Sequence, residues 1–373
     1  MYLHYQNKKE ISELLKLSSY RFDSDWSLDK NKLIHGDNLK VLQTLLSNCD
    51  LKSKVDLVYI DPPFSTNSIF SIGEDRVSTV SSSLSDKIAY KDKLTGSSFL
   101  EFLRARLVLL RELMSDKASI YLHIDYKIGH YVKIIMDEIF GIDNFRNDIT
   151  RIKCNPKNFK RKAYGNIKDM ILFYSKTSHN TWNDPLDSFS EEDAVRLFKK
   201  TDANGRQYTT IPLHAPGETK NGPTGGAWRG IFPPKGRHWR SEPKVLEELD
   251  KAGLIEWSKN NVPRKKIYAD EKQGKKKQDI WEYKDSQYPV YPTEKNLDLL
   301  KSIVLASSNP GDLVLDCFCG SGSTIQAAEE LDRQWIGIDE SIEAINVTKK
   351  RLAKIEKGLF SSAVSYQFLE LQS

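Results

Sequence analysis

The sequence predicts an α/β fold: a doubly wound, mostly parallel sheet with helices on both faces and an inserted α+β region. Three observations predict it. Apolar strand-like runs alternate with helical periodicity over residues 31–174 and again over 286–358. Two of these runs end in turns rich in reactive residues: Val55–Ile60 leads into Asp61-Pro62-Pro63-Phe64, and Leu313–Leu315 leads into Asp316-Cys317-Phe318-Cys319-Gly320-Ser321-Gly322. Strand tips of this kind are where open α/β sheets hold ligands. Between 175 and 285 the alternation breaks, and Gly, Pro and aromatic residues gather in 212–236. At 373 residues the chain exceeds a typical single domain, which fits one large core with an inserted module.

In chain order, residues 1–30 carry a short helical pattern over Lys9–Leu17 and read as an arm or cap on the core. Leu33–Gly36 reads as a strand, Leu39–Leu46 as a helix and Val55–Ile60 as the second strand. Residues 65–93 are serine-rich and lack sustained periodicity; so long an irregular segment in a compact domain is usually functional or disordered. Ser98–Met114 then shows helical spacing through Phe99, Phe102, Leu103, Arg106 and Leu110, followed by a strand over Ser119–Ile124, a helix over Ile128–Phe140 and a strand around Met170–Tyr174. Inside the insertion, Ser241 reads as the N-cap of a helix with Pro243 in its first turn and Gly253 at its end. Leu254–Trp257 and Lys266–Tyr268 could pair across residues 260–263, so that helix and hairpin follow one another as at the end of a winged helix, a likeness of fold only. Thr293 is the expected cap of a helix ending near Ser307, and Asn309-Pro310-Gly311 marks the turn into the next strand. After Leu359 the tail is weakly patterned and expected to be peripheral.

The turn at Asp61 suits a reaction at an exocyclic amino group of a nucleobase. The lone pair of adenine N6 is delocalised into the ring, so the nitrogen attacks poorly unless acceptors hold its two N–H bonds. Asp61 offers one acceptor. The Pro62 carbonyl offers a second, aimed by the stiffness of Pro62 and Pro63. Phe64 supplies a face for stacking, which together with edge hydrogen bonds is how enzymes grip a flipped base. The tetrapeptide alone is equally readable as a surface turn.

The later turn is followed by helical residues Ile325–Leu331 and by the strand Trp335–Ile338, which closes on Asp339. Gly320 and Gly322 permit close approach of backbone to ligand, and a carboxylate about 20 residues on has the spacing expected for ribose hydroxyls. Ile325 stands where a dinucleotide fingerprint has its third glycine, which disfavours a pyrophosphate. A ligand with ribose but no phosphate fits better, S-adenosylmethionine among them; a structural turn is the alternative.

Together the two motifs resemble those of the amino-methylating DNA methyltransferases, adenine N6 or cytosine N4, in the subgroup whose catalytic motif precedes the cofactor motif. Two more stretches match: Ile34-His35-Gly36-Asp37-Asn38-Leu39, and Tyr291-Pro292-Thr293-Glu294-Lys295-Asn296. Phe64 stands where Tyr is commoner and Asn296 where Pro is usual. The resemblance implies a Rossmann-like methyltransferase core and S-adenosylmethionine as cofactor. It places Asp37 near the cofactor's adenine, Asp316, Phe318, Gly320 and Gly322 in the cofactor loop, Asp339 on the ribose, and Thr293 and Lys295 beside the methionine moiety. Asp rather than Ser at position 61 favours adenine as substrate. The motif neighbourhood is similar to that of modification subunits of restriction–modification systems, so the resemblance implies a cognate endonuclease subunit or a homodimer as partners beyond double-stranded DNA. Cytosine N4 methylation, and amide methylation on RNA or protein, are the alternatives.

Charge agrees with a nucleic-acid partner. The net charge of +5 divides unevenly: residues 151–290 hold 28 Lys and Arg against 18 Asp and Glu. A localised basic region suits a polyanion, since Lys and Arg replace counterions condensed on phosphates. Arg229, Arg237, Trp239, Arg240, Arg264, Lys265 and Lys266 are the candidate DNA contacts; Trp228 and His238 interleave with them, whereas Lys272 and Lys275–Lys277 fit a merely solvated surface equally well. Residues 175–285 are therefore the expected target-recognition region, and 65–93 a loop expected to order over DNA. The four cysteines, Cys49, Cys154, Cys317 and Cys319, do not form a zinc set, and no metal is expected. With no apolar run of about 18 residues and no signal-peptide core at the N-terminus, a cytoplasmic enzyme without membrane attachment is expected.

Overall fold

A computed structural model describes the chain apart from residues 1, 19, 28, 64–68, 73–76, 79–86, 92–95, 157–159, 161, 220, 260–261, 273, 288, 290, 292–293, 356–363 and 373; for the strands within 69–91 it describes the backbone alone. Two compact units emerge, one of Met1–Pro185 with Gln278–Ser373 and one of Leu186–Lys277.

The first unit is built on a ten-stranded sheet. Its order across the sheet is Arg21–Phe22, Tyr366–Gln372, Asn31–His35, Gln334–Asp339, Leu313–Asp316, Val55–Ile60, Met114–Ile124, Lys168–Ser175, Phe145–Ile152 and Ile280–Glu282. Neighbours from Tyr366–Gln372 through Met114–Ile124 run parallel, and Lys168–Ser175 is antiparallel to both its neighbours. Strands buried on both faces read as continuous apolar runs, and Val55–Ile60 does so because it alternates between two cores. Val58 and Ile60 join one core with the helices Asn38–Asn48, Gly96–Leu113 and Gly129–Phe140. Leu57 and Tyr59 join the other with the helices Leu297–Ser307, Ser323–Glu330 and Ile342–Leu352. This is the doubly wound, mostly parallel sheet that the alternation predicts.

Several details differ from the sequence-based expectations. Residues 145–152 form a strand that periodicity does not show, because Arg146, Asn147, Asp148 and Arg151 interrupt its apolar positions. The closing residues are not peripheral: Tyr366–Gln372 lies between Asn31–His35 and Arg21–Phe22 in the main sheet. The segment after Asp61 is not wholly irregular, since Ile69–Ile72, Val77–Ser78 and Lys87–Lys91 form a three-stranded sheet whose runs are too short to give sustained periodicity. The helix before Asn309 begins at Leu297, with Asn296 as N-cap accepting from the amides of Asp298 and Leu299 at 2.9 and 3.2 Å. Asn296, where the family pattern has Pro, thus takes the capping role expected of Thr293, which lies outside the described residues.

The second unit carries a four-stranded antiparallel sheet in the order Lys200–Thr201, Gln207–Pro212, Pro263–Tyr268, Ile255–Trp257. A helix over Pro243–Lys251 precedes the hairpin of Ile255–Trp257 and Pro263–Tyr268. Its N-cap is Glu242 rather than Ser241, because Pro243, with its fixed φ and missing N–H, is suited to the first helical position. Leu213, Trp228, Trp239, Leu246 and Ile255 make its core.

Candidate active site

Parallel order brings the two reactive turns side by side. Val55–Ile60 and Leu313–Asp316 are adjacent strands, paired Leu57 to Val314 and Val58 to Leu315, so Asp61 and the glycine loop leave the same edge of the sheet. Such an arrangement defines an α/β core with a glycine loop next to an acidic turn, at the end of the sheet where this class of fold holds ligands.

At the acidic turn, one Asp61 oxygen, Oδ2, is ion-paired with Lys295, and both side chains are nearly buried. The other oxygen, Oδ1, is buried without a hydrogen-bond partner among the described residues. An orphaned buried acceptor is costly, and this oxygen has its hydrogen-bonding capacity left over for a donor. Pro62 is buried and Pro63 half-buried beside it; Phe64 lies outside the described residues. Lys295, expected beside the methionine moiety, is thus found on the Asp61 carboxylate.

The glycine loop is tied down by its neighbours. Gly322 begins the helix Ser323–Glu330 at a φ of +77°, and a Cβ there would come within 2.6 Å of Thr348 Cγ2, so only glycine fits. The Gly320 amide donates to Asp339 Oδ2 at 2.8 Å, and the Ser341 amide to Oδ1 at 2.9 Å. The Phe318 amide donates to Asp316 Oδ1 at 3.0 Å. Asp37 caps its helix by accepting from the Lys40 amide at 3.0 Å. Burial pushes the Asp316 carboxyl up to about 7, with the charges of Asp61 and Asp339 adding to the rise. Asp339 is raised as well, again through burial.

Two side chains to which motif reading assigns no role support this loop. Asn38 donates to the Cys317 carbonyl at 2.7 Å and accepts from Arg106 Nε at 2.6 Å. Arg106 lies over the Phe102 ring at 3.5 Å, and Phe102 meets Phe318 with centroids 6.0 Å apart. Burial lowers Arg106 to about 10. A buried arginine within an otherwise apolar helix face is the one signal that could have pointed to it. Glu294 pairs with Arg351, which also donates to the Ser321 carbonyl at 2.7 Å.

In the second unit the predicted DNA contacts divide. Trp239 is 2% exposed and donates to the Gly226 carbonyl at 2.9 Å, and Arg229 is clamped on Glu247 at 2.8 and 2.9 Å, so both hold the unit together. Trp228 is likewise buried. Arg237, Arg240 and Arg264 instead bond to neutral groups: Arg237 to His214 at 3.2 Å, Arg240 to the Pro212 carbonyl at 3.1 Å, and Arg264 to Thr210. His214 is lowered first by burial and then by all three arginines, which places them around one spot. Lys265 and Lys266 follow Arg264 on the same strand.

Comparison with known proteins agrees with this geometry. The DNA methylase family model of N6/N4 amino-methylating enzymes matches residues 55–350. The Type II methyltransferase M.EcaI of Enterobacter cloacae is 41% identical over 365 residues, covering 94% of this chain and 77% of that protein. The StyLTI Mod subunit of a type III restriction-modification enzyme from Salmonella typhimurium is 27% identical over 361 residues, covering 86% of this chain and 54% of its own length. The DNA adenine methyltransferase YhdJ of Escherichia coli is 25% identical over 324 residues, with 86% and 82% covered. The chain belongs to the N6/N4 DNA methylase family, whose members depend on S-adenosylmethionine.

The residues present fit that cofactor. Burial first, and then the charges of Asp61 and Asp339, raise Asp316, and a ligand carrying a sulfonium and an ammonium would relieve that crowding. Among the described residues there is no cluster of His, Cys, Asp and Glu able to hold a metal, and no helix is long and apolar enough to cross a membrane.

Proposed function

We infer that this chain transfers a methyl group to the N6 amino group of adenine in double-stranded DNA, acting on a base flipped out of the helix. The observation that carries the reading is the orphaned Oδ1 of Asp61, a buried acceptor at the tip of the central strand. Oδ1 takes one N–H of the amino group and the Pro62 carbonyl takes the other, which draws the nitrogen lone pair out of conjugation. Phe64 stacks on the base. S-adenosylmethionine, when bound, supplies an electrophilic methyl on its sulfonium. Asp37, Thr293, Lys295, Phe318, Gly320, Gly322 and Asp339 would hold it, with Asp316 bracing the loop through the Phe318 amide. Asp61 Oδ1 or water accepts the proton that the amino group sheds. Holding two reactants in line supplies much of the acceleration.

Asp at position 61 supports adenine, as does the name of YhdJ. Arg237, Arg240, Arg264, Lys265 and Lys266 are the DNA contacts in this reading. The name of the StyLTI Mod subunit, part of a restriction-modification enzyme, supports a cognate endonuclease subunit as partner, and the homodimer is tested alongside by gel filtration; the enzyme is read as cytoplasmic. The test is incubation of the protein with radiolabelled S-adenosylmethionine and unmethylated bacterial DNA, followed by digestion to nucleosides. Label in 6-methyladenine is expected. Label in 4-methylcytosine would overturn the adenine assignment, and undiminished turnover by Asp61→Ala would overturn the mechanism.

A further inference from the structure

Beside Asp61 lies a second set of buried polar groups that this chemistry leaves unused. Tyr59, two residues before Asp61, has its hydroxyl 3.0 Å from His123 Nδ1. His123 Nε2 is 3.3 Å from Asp169 Oδ2, and Asp169 Oδ1 accepts from Lys153 Nζ at 2.6 Å. Arg151 Nη1 stands 3.8 Å from Asp169, and its Nε donates to the Tyr283 carbonyl at 2.8 Å. Tyr59, His123, Asp169 and Arg151 are 3% exposed or less. The register of the central strands, Ile60 opposite Leu122, carries His123 level with Asp61 on the adjacent strand and onto the face of Tyr59. Apolar side chains would fill this row without the desolvation penalty of buried charge, so a row of polar groups here asks for a reason beyond packing.

The proton positions follow from the partners. Burial opposes the Asp169 charge, but the bonds from His123 and Lys153 outweigh it and hold the carboxyl well below the usual range. Burial also pushes His123 below its ordinary range, against the pull of Asp169 and Asp61 and with the help of Lys295. A neutral imidazole that donates from Nε2 to Asp169 must accept at Nδ1, so the Tyr59 hydroxyl is the donor there.

We propose that Tyr59, His123 and Asp169 form a positioning relay, in which neutral His123 fixes the Tyr59 hydroxyl and with it the strand end that presents Asp61 to the substrate. Protonation at Nδ1 turns the acceptor into a donor. The Tyr59 O–H then loses its acceptor, and because Asp316 is already protonated in that range, Asp61 is the carboxylate left to draw it, which compromises the Asp61 acceptor. Acid thus switches off methyl transfer through His123. The inference rests on the proposed function only for its activity readout.

The test joins NMR with kinetics on the full chain. In 15N-histidine-labelled protein, the His123 signal is identified by its shift in Tyr59→Phe. A neutral ring protonated on Nε2 is expected at pH 7, with Nδ1 the nitrogen that moves in Tyr59→Phe. In the folded Tyr59→Phe variant, kcat should fall about three- to tenfold, as for loss of one hydrogen bond, with KM for S-adenosylmethionine unchanged. The acid limb of the wild-type kcat profile should follow the His123 titration and shift in the variant. A proton resting on Nδ1, or a variant with wild-type kcat and pH profile, overturns the relay. If the wild type transfers no methyl group, the functional reading fails, and the relay stands or falls on the tautomer and on the change in His123 titration in Tyr59→Phe.

Discussion

Lys295 closes on one oxygen of the Asp61 carboxylate and leaves the other without a partner among the described residues. The ammonium comes from the segment that precedes the helix Leu297–Ser307, and the carboxylate from the end of the central strand. Removing the charge while keeping the bulk, as in Lys295→Met, leaves a nearly buried carboxylate uncompensated. A loss of about 3 kcal/mol in stability is expected, at the low end for a broken buried pair because both groups keep some contact with water. Urea unfolding measures it, and Lys295→Arg should recover part of the loss.

Asn38 braces the glycine loop through the Cys317 carbonyl, and Arg106 holds Asn38 and meets Phe318 by way of Phe102. Asn38→Ala removes the bond to the Cys317 carbonyl and orphans Arg106 Nε. Affinity for S-adenosylmethionine should fall by roughly tenfold or more, as for loss of a hydrogen bond to a charged group. Calorimetric titration reads this directly, and unchanged affinity would place the support of the loop elsewhere.

The arginines of the second unit should separate by function. Arg237→Ala, Arg240→Ala and Arg264→Ala are each expected to weaken DNA binding and to reduce the slope of log affinity against log salt by about one where a phosphate contact is lost. Arg229→Ala should leave that slope alone and lower stability. Trp239→Ala should destabilise the unit by roughly 3–5 kcal/mol, the range for truncating a buried aromatic side chain.

Asp316 makes stability depend on pH in a defined direction. Its folded value is pushed up to about 7 from an ordinary 3.8, so the folded state binds the proton more tightly than the unfolded chain. The linkage therefore favours folding at acid pH and removes stability as pH rises from about 4 to about 7. Asp316→Asn abolishes this contribution, and the stabilisation conferred by S-adenosylmethionine should grow over the same range in the wild type. Thermal melts at several pH values, with and without the cofactor, check both.

Elements fully inside the sheet were legible in sequence because burial on two faces writes a continuous apolar run, as in Val55–Ile60. The glycine loop was legible because Gly322 answers a steric demand that no other residue meets. Less legible was the strand Phe145–Ile152, where Arg151 is buried by virtue of partners far along the chain, and polar residues then mimic a loop. The same holds for Tyr59, His123 and Asp169, which only the strand register brings together. Trp239 and Arg229 stand among the candidate DNA contacts because composition alone does not tell an interfacial aromatic from a core one, nor a free guanidinium from one clamped by Glu247.

The strand Tyr366–Gln372 has a consequence for how the protein is made. One of the two sheet neighbours of Asn31–His35 is Gln334–Asp339 and the other is Tyr366–Gln372. Both edges of this strand are thus satisfied by partners about 300 or more residues further along, and contacts of such separation form slowly. Until those later strands are made, the strand next to them in the sheet is an open template, and their arrival is what shuts it.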